Sequence, residues 1–537
     1  QIDAVFGIIK LISNSYILVS EQSKEVARIS NKSIYHVSKH SLIPLINCSE
    51  DENTVKSKDT ESLTKDVNFL KILNNNFNNV KMYFSNSYDL TAYYEESLTN
   101  DLLWDTINKS FFFFSALIEK FKDSDFKLLN YFSGIIIGFV GQKPIEVEGH
   151  EGILTLISRK DINRVGVRFF SRGIDKSGNA GNQAETEMII ELQIGSERKV
   201  MSHRQIRGSI PLHWTQKPTL KYSPPIVVDS DPSKHSKSST LHYLRLVNKY
   251  NQVSCVNLID KKGKEGNIGK VFEETFNKIC KESKFLLNSI DLQWFDYHAQ
   301  CKGSDIFKLS EFLKSNQDKI LNYKYISGKL SHNQNSKTNS VILQTKQSGI
   351  IRTNCIDCLD RTNLFQSTVG RVVLRDFLSS LGFKYETDDL LASMESTIEK
   401  PFRELWTDNG NALSMMYAGT PALKSEFTRT GVKTYKGKIE DGKFSVIRYF
   451  KNNFMDAENQ DSYDLIMGNI QAKNYPEYKE GVGKQTLLLL ILFALIPILT
   501  KIIFSLFNRR LNNLALFTIL IMTFGLMGIT IVGNLIR

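Results

Sequence analysis

Arg352-Thr353-Asn354-Cys355-Ile356-Asp357-Cys358-Leu359-Asp360-Arg361-Thr362-Asn363 sets a cysteine, five residues, an arginine and a threonine in one run. Gly349-Ile350-Ile351 upstream reads as a short strand. Thr362–Leu381 downstream carries Phe365, Val369, Val372, Val373 and Phe377 at helical spacing and stops at Gly382. A strand, a loop over Cys355–Arg361 and a helix form the setting in which backbone N–H groups can wrap a phosphate. A mixed α/β (α+β) fold follows.

The chemistry this loop predicts is nucleophilic. A free thiol titrates at about 8.5, and a helix N-terminus and a nearby cation lower that value. Cys355 is therefore expected as a thiolate nucleophile. Arg361 offers a planar fork for two phosphoryl oxygens, and the Thr362 hydroxyl is placed to hydrogen-bond the sulfur. The backbone at Ile356, Cys358 and Leu359 would line the phosphate. Asp357 and Asp360 are the acids of the loop, and a neighbouring dianion raises a carboxyl pKa. Asp357 is the first choice as general acid and Asp360 the second, with orientation of Arg361 or helix capping as its other role. Two readings compete. Cys355 and Cys358 also match a C-x-x-C redox pair or half a zinc site. No second C-x-x-C completes a zinc site, and no metal or cofactor is expected.

The chain has 537 residues, enough for two or three units, and its 41% hydrophobic content supports real cores. A net charge of +11 favours anionic partners. Without a zinc-finger spacing or an RNA-recognition signature, nucleic acid is not expected. Six cysteines are sparse for this length and argue for a reducing compartment. A start at Gln1 rather than Met predicts that the beginning is missing, and Ala4–Val19 reads as strand rather than signal peptide.

Strands are expected over residues 1–45 and 152–193, the latter with a loop near Gly178–Asn182. Helices are expected at Leu102–Phe121, Phe272–Leu287 and Ser304–Asn322, with Phe111–Phe114 in the core. Ser49–Asp59, Asn74–Asn79 and His332–Ser340 read as polar inserts, and Ser223–Ser239 as loop. Arg159, Lys160, Arg164, Arg168 and Arg172 form either a cationic surface for anionic headgroups or a solvated face. Arg168 and Arg172 are the substrate-binding candidates among them. His298 and Cys301 read as structural.

Leu487–Phe507 and Leu514–Ile536 are long apolar stretches joined by Asn508–Asn513. Each reaches about 30 Å as a helix, which predicts a membrane-spanning hairpin. Lys473, Lys479, Lys484 and Arg537 against Arg509 and Arg510 place the main body in the cytosol.

The loop and its flanks closely resemble the signature of Sac-domain phosphoinositide phosphatases. Similar segments recur at Gly7–Leu11, Ser15–Val19, Tyr83–Thr91, Arg168–Glu187, Arg207–Trp214, Val256–Gly266, Tyr297–Gly303, Asp408–Gly431 and Arg448–Asp464. The resemblance covers about residues 1–470, and the tail resembles the integral-membrane branch. It implies an N-terminal β-rich subdomain at 1–150 and a catalytic α/β subdomain at 151–450. A linker at 451–485 and spanning helices at 486–507 and 514–536, joined by 508–513, follow. It also implies removal of phosphate from inositol lipids, chiefly phosphatidylinositol 4-phosphate, through a phosphocysteine and without a metal. Phosphoinositide lipids and the endoplasmic reticulum and Golgi membranes are the implied partners and place. The competing class is a catalytically weak phosphoinositide-binding tether.

Overall fold

A computed structural model describes residues 2–45, 60–99, 107–118, 132–219, 221, 223–301, 307–333, 338–384, 394, 396–432 and 434–474. Residues 1–479 form one unit and residues 480–537 a second. The two apolar tail stretches and the insert at 49–59 lie outside the described residues, so the expected hairpin does too. No helix among the described residues is long and apolar enough to cross a membrane.

The first eight strands follow the chain as an antiparallel meander. They are β1 (Ala4–Lys10), β2 (Ser15–Ile29), β3 (Lys32–Leu45), β4 (Met82–Phe84), β5 (Ile135–Val147), β6 (His150–Lys160), β7 (Ala184–Ile194) and β8 (Glu197–Ser209). Two short strands, β9 (Trp214–Thr215) and β10 (Val227–Val228), pair apart from this sheet. Beyond β8 the sheet turns parallel. β11 (Gln252–Asn257), β12 (Ile290–Trp294), the hairpin β13 (Ile326–Asn333)–β14 (Thr338–Thr345) and β15 (Gly349–Cys355) complete it, in the order β8-β15-β11-β12. β8 is shared. Its first half pairs with β13 at Lys199–Ser202, and its second half pairs in parallel with β15 up to Ser209 opposite Cys355. The domain division expected at 150/151 falls in the β5–β6 hairpin, and the sheet is continuous across it.

β15 is buried at all seven positions, as a central parallel strand must be. Its alternation splits its apolar residues between two cores. Ile351 packs with Phe365, Val369 and Val372 of the helix Asp360–Ser380 on one face. Ile350 packs with Tyr243, Phe272 and Phe276 on the other. Both faces are thus covered, and the loop after Cys355 leaves the sheet at the carboxyl end of its parallel strands, where α/β sheets bind ligands.

Several expectations are corrected. Asn74–Asn79 is not an insert but the end of the helix Thr60–Asn79. Asn76 and Phe77 are buried there, and Asn76 donates to the Asn459 carbonyl at 3.1 Å, so tertiary contact overrides weak helix propensity. Ser223–Ser239 is loop only to Asp231, apart from the two residues of β10, and Asp231 caps the helix Pro232–Tyr250 by accepting from the Ser233 N–H at 2.9 Å. The described residues of the polar insert His332–Ser340 belong to β13 and β14, which pair with each other. Phe111–Phe114 is core as expected, but the described part of 102–121 contains only the short helix Ser115–Ile118.

Candidate active site

The loop Cys355–Leu359 closes between β15 and the helix Asp360–Ser380. Cys358 sits at φ +53°, a left-handed turn that folds its thiol under the loop, where Sγ donates to the Cys355 carbonyl at 3.3 Å. Leu359, at the N-cap, makes no side-chain cap, so the first N–H groups of the helix stay open toward the loop. Cys355 is buried at 2% exposure and lies at the floor of a cleft of about 310 Å³. Arg168, Phe169, His298, Asp357, Leu359, Asp360, Arg361, Lys424, Arg448 and Asn452 are among the residues that line this cleft.

Asp357 is the mechanical centre of the loop. Arg168 grips it with Nε–Oδ1 at 3.0 Å and Nη2–Oδ2 at 2.8 Å, and Arg172 adds Nη2–Oδ1 at 2.6 Å. Arg172 also donates to the Ile356 carbonyl, and Asn182 donates to the Asp357 carbonyl at 2.7 Å. Burial penalises the charged carboxylate, yet the two arginines outweigh it and hold Asp357 well below the usual carboxylate range. A protonated Asp357, the first choice for general acid, does not fit these surroundings. Asp360 differs. Burial pushes its carboxyl up, and Arg448 and the Leu423 N–H at 2.6 Å offset this only in part.

Arg361 lines the cleft with Cys355, but its hydrogen bonds go elsewhere. Its guanidinium lies on Glu265, Nη1–Oε2 at 3.1 Å and Nη2–Oε1 at 3.0 Å, with the Leu258 carbonyl at 3.3 Å and Asp260 at 3.7 Å. Asp260 in turn meets His298 Nδ1 at 2.8 Å. The Cys355 thiol departs from expectation accordingly. Burial raises its pKa, Arg361 pulls it down, and Glu265 and Asp357 push it up, so the net shift is upward. The predicted bond from Thr362 to the sulfur is also not made; its Oγ1 is buried without a partner.

The basic cluster 159–172 is divided: Arg159, Lys160 and Arg172 are buried, Arg164 is half-buried, and Arg168 lines the cleft. Arg159 is fully buried on Glu185 (3.3 Å) and Glu187 (2.7 Å). Lys160 is buried against Asn182 and over the Tyr417 ring, and burial lowers its pKa to about 7. Of the substrate-binding candidates, Arg168 and Leu359 reach the cleft, while the Arg172, Ile356 and Cys358 side chains are buried. Asp408 and Arg429 pair with each other at 2.8 Å and do not line the cleft. Glu265, Asp260, Lys424 and Asn452 were assigned no role from sequence. Their one signal was membership of the family-like segments or proximity to them. His298, read as structural, stands in the cleft wall.

Comparison with known proteins agrees with this geometry. Residues 3–302 match the SacI homology domain. Phosphatidylinositol-3-phosphatase SAC1 of Drosophila melanogaster is 31% identical over 87% of this chain and 74% of its own length. Phosphatidylinositol-3-phosphatase SAC1 of Saccharomyces cerevisiae is 30% identical over 88% and 73%. Phosphoinositide phosphatase SAC7 of Arabidopsis thaliana is 29% identical over 87% and 74%. The match extends past residue 302 to include the cysteine loop at these coverages, and the chain belongs to the Sac-domain family.

Proposed function

We propose that the chain is a cysteine-dependent phosphoinositide phosphatase, acting on phosphatidylinositol monophosphates. The observation that carries this reading is Cys355 at the floor of a cationic cleft, beside an uncapped helix N-terminus and within the electrostatic reach of Arg361.

The steps follow from the chain's own groups. The phosphate enters the cleft and draws Arg361 from Glu265 onto two of its oxygens, which removes a cation from one carboxylate and gives it to another anion. Closer to Arg361, the Cys355 thiol gives its proton to water, and the thiolate attacks phosphorus. The S–P bond forms as the bond from phosphorus to the inositol oxygen breaks. Asp360, with its raised pKa, gives that oxygen its proton. Water then attacks phosphorus, Asp360 takes its proton, the S–P bond breaks and phosphate leaves. Asp357 stays ionised and holds the loop through Arg168 and Arg172.

The resting pair of Arg361 and Glu265 also supports a second reading, a phosphoinositide-binding tether of weak activity. Phosphate release from the 3-, 4- and 5-monophosphates, measured with EDTA present, separates the two and reads ring position, for which the family resemblance names the 4-phosphate and the SAC1 relatives' names the 3-phosphate. Turnover supports the phosphatase; binding without turnover supports the tether. The tail stretches Leu487–Phe507 and Leu514–Ile536 are the proposed membrane anchor, in endoplasmic reticulum and Golgi membranes. Protease protection of the 508–513 link in microsomes tests this.

A further inference from the structure

The helix Tyr435–Phe454 forms part of the cleft wall through Ser445, Arg448 and Asn452, yet another of its faces carries large apolar side chains in water. Tyr435 is 79% exposed, Ile439 58% and Val446 47%, and Val432 just before the helix is 61% exposed. At 100° per residue, Tyr435, Ile439 and Val446 fall within about 40° of one another. Asn453, seven residues beyond Val446, continues the same line and lines the cleft. The apolar stripe therefore lies on one line of the helix with a residue that lines the cleft.

Its flanks are basic. Lys436, Lys438 and Lys443 are exposed on either side of the stripe. Asp441 is taken up by the Lys424 N–H at 2.7 Å, and Glu440, also exposed, lies about 120° around the helix from the stripe. Apolar side chains along one line with lysines beside them are the composition of a helix that lies in a bilayer interface. There the lysine stems extend over the acyl boundary and their ammonium groups meet anionic headgroups.

We propose that the Val432–Val446 face is a membrane-docking surface for an anionic bilayer. The proposal rests on the phosphoinositide reading in one respect. A lipid headgroup can enter the cleft with its acyl chains still in the bilayer only if the cleft mouth meets the membrane. The stripe supplies that contact on the helix that also lines the cleft, and it is formed by residues separate from the tail stretches.

The test uses the full chain with vesicles of phosphatidylcholine and phosphatidylserine. In a Cys48→Ser, Cys355→Ser background, whose four remaining cysteines are all buried, Ile439→Cys, Val446→Cys or Phe285→Cys carries an environment-sensitive dye. Phe285, 53% exposed on the helix Lys284–Ser289, is the control. Dyes at 439 and 446 are expected to shift to the blue and to be quenched by nitroxide-labelled lipids, while the dye at 285 does neither. The Ile439→Asp, Val446→Asp double variant is expected to lose at least about tenfold in turnover of long-chain phosphoinositide in vesicles. It should keep its turnover of a water-soluble short-chain substrate. Water-exposed dyes on vesicles, with lipid turnover insensitive to the double variant, overturn the proposal and leave the face to a protein partner. Equal loss on both substrates also overturns it, since the helix would then serve the fold alone. Bilayer-buried dyes, with a wild type that turns over neither substrate, leave the docking surface standing and sink the enzyme reading.

Discussion

Arg361 and Glu265, 96 residues apart, face each other through two parallel hydrogen bonds of 3.1 and 3.0 Å. The carboxylate occupies the same fork that a phosphoryl group would use. Glu265 thus acts as an internal stand-in for the substrate, and it also raises the pKa of the Cys355 thiol. Glu265→Gln keeps the shape and removes the charge. The midpoint of the pH profile for Cys355 alkylation should fall, because a carboxylate that opposes the thiolate is gone. Inorganic phosphate should inhibit the variant more strongly than wild type. An unchanged alkylation profile would show that Glu265 does not govern the site.

Asp360 and Asp357 separate by substrate. Asp360→Asn should lower kcat on a phosphoinositide by about 10²–10⁴. The loss should shrink on an aryl phosphate, whose leaving group needs no proton. An equal loss on both substrates would remove Asp360 from the acid role.

Asp357→Asn should act on the fold instead. It leaves the buried Arg172 without its carboxylate. Breaking a wholly buried pair costs about 3–5 kcal/mol, and the 23% exposure of Asp357 discounts this to ~2–4 kcal/mol. Thermal unfolding measures the loss. A variant that unfolds like wild type but has lost its activity would instead make Asp357 a participant in the chemistry.

Asp456 gives a pH dependence. Burial raises its pKa from 3.8 to about 7, and its Oδ2 is buried without a partner. Between these values the folded chain holds a proton that the unfolded chain releases. Asp456 therefore makes the fold less stable as pH rises from about 4 to about 7, with no further change above. The thermal midpoint of wild type should fall across that window relative to Asp456→Asn, in which this contribution is gone. Parallel profiles for the two proteins would contradict the assignment.

The parts of this molecule legible in sequence are those written locally. Gly349–Cys355, the loop and the helix to Ser380 follow from one contiguous pattern, since a buried strand and a periodic helix each announce themselves within their own length. Local reading failed where a partner came from far away. Asn76 is helical because Asn459 receives it. Arg159 is buried because Glu185 and Glu187 neutralise it from the neighbouring strand. The sequence ranked Asp357 above Asp360 as the acid, and the structure reverses that order. Arg168, 189 residues from Asp357, made one a fixed anion, and burial made the other a weak acid against the pull of the Leu423 N–H. Glu265 was invisible as a site residue for the same reason.

The central claim is that Cys355 carries the phosphoryl group. Wild type mixed with phosphatidylinositol monophosphate, quenched in acid within one turnover and analysed by peptide mass spectrometry should yield phosphate on Cys355. Cys355→Ser and Arg361→Ala should release no phosphate above background. Phosphate on another residue, or turnover retained in Cys355→Ser, would contradict the account.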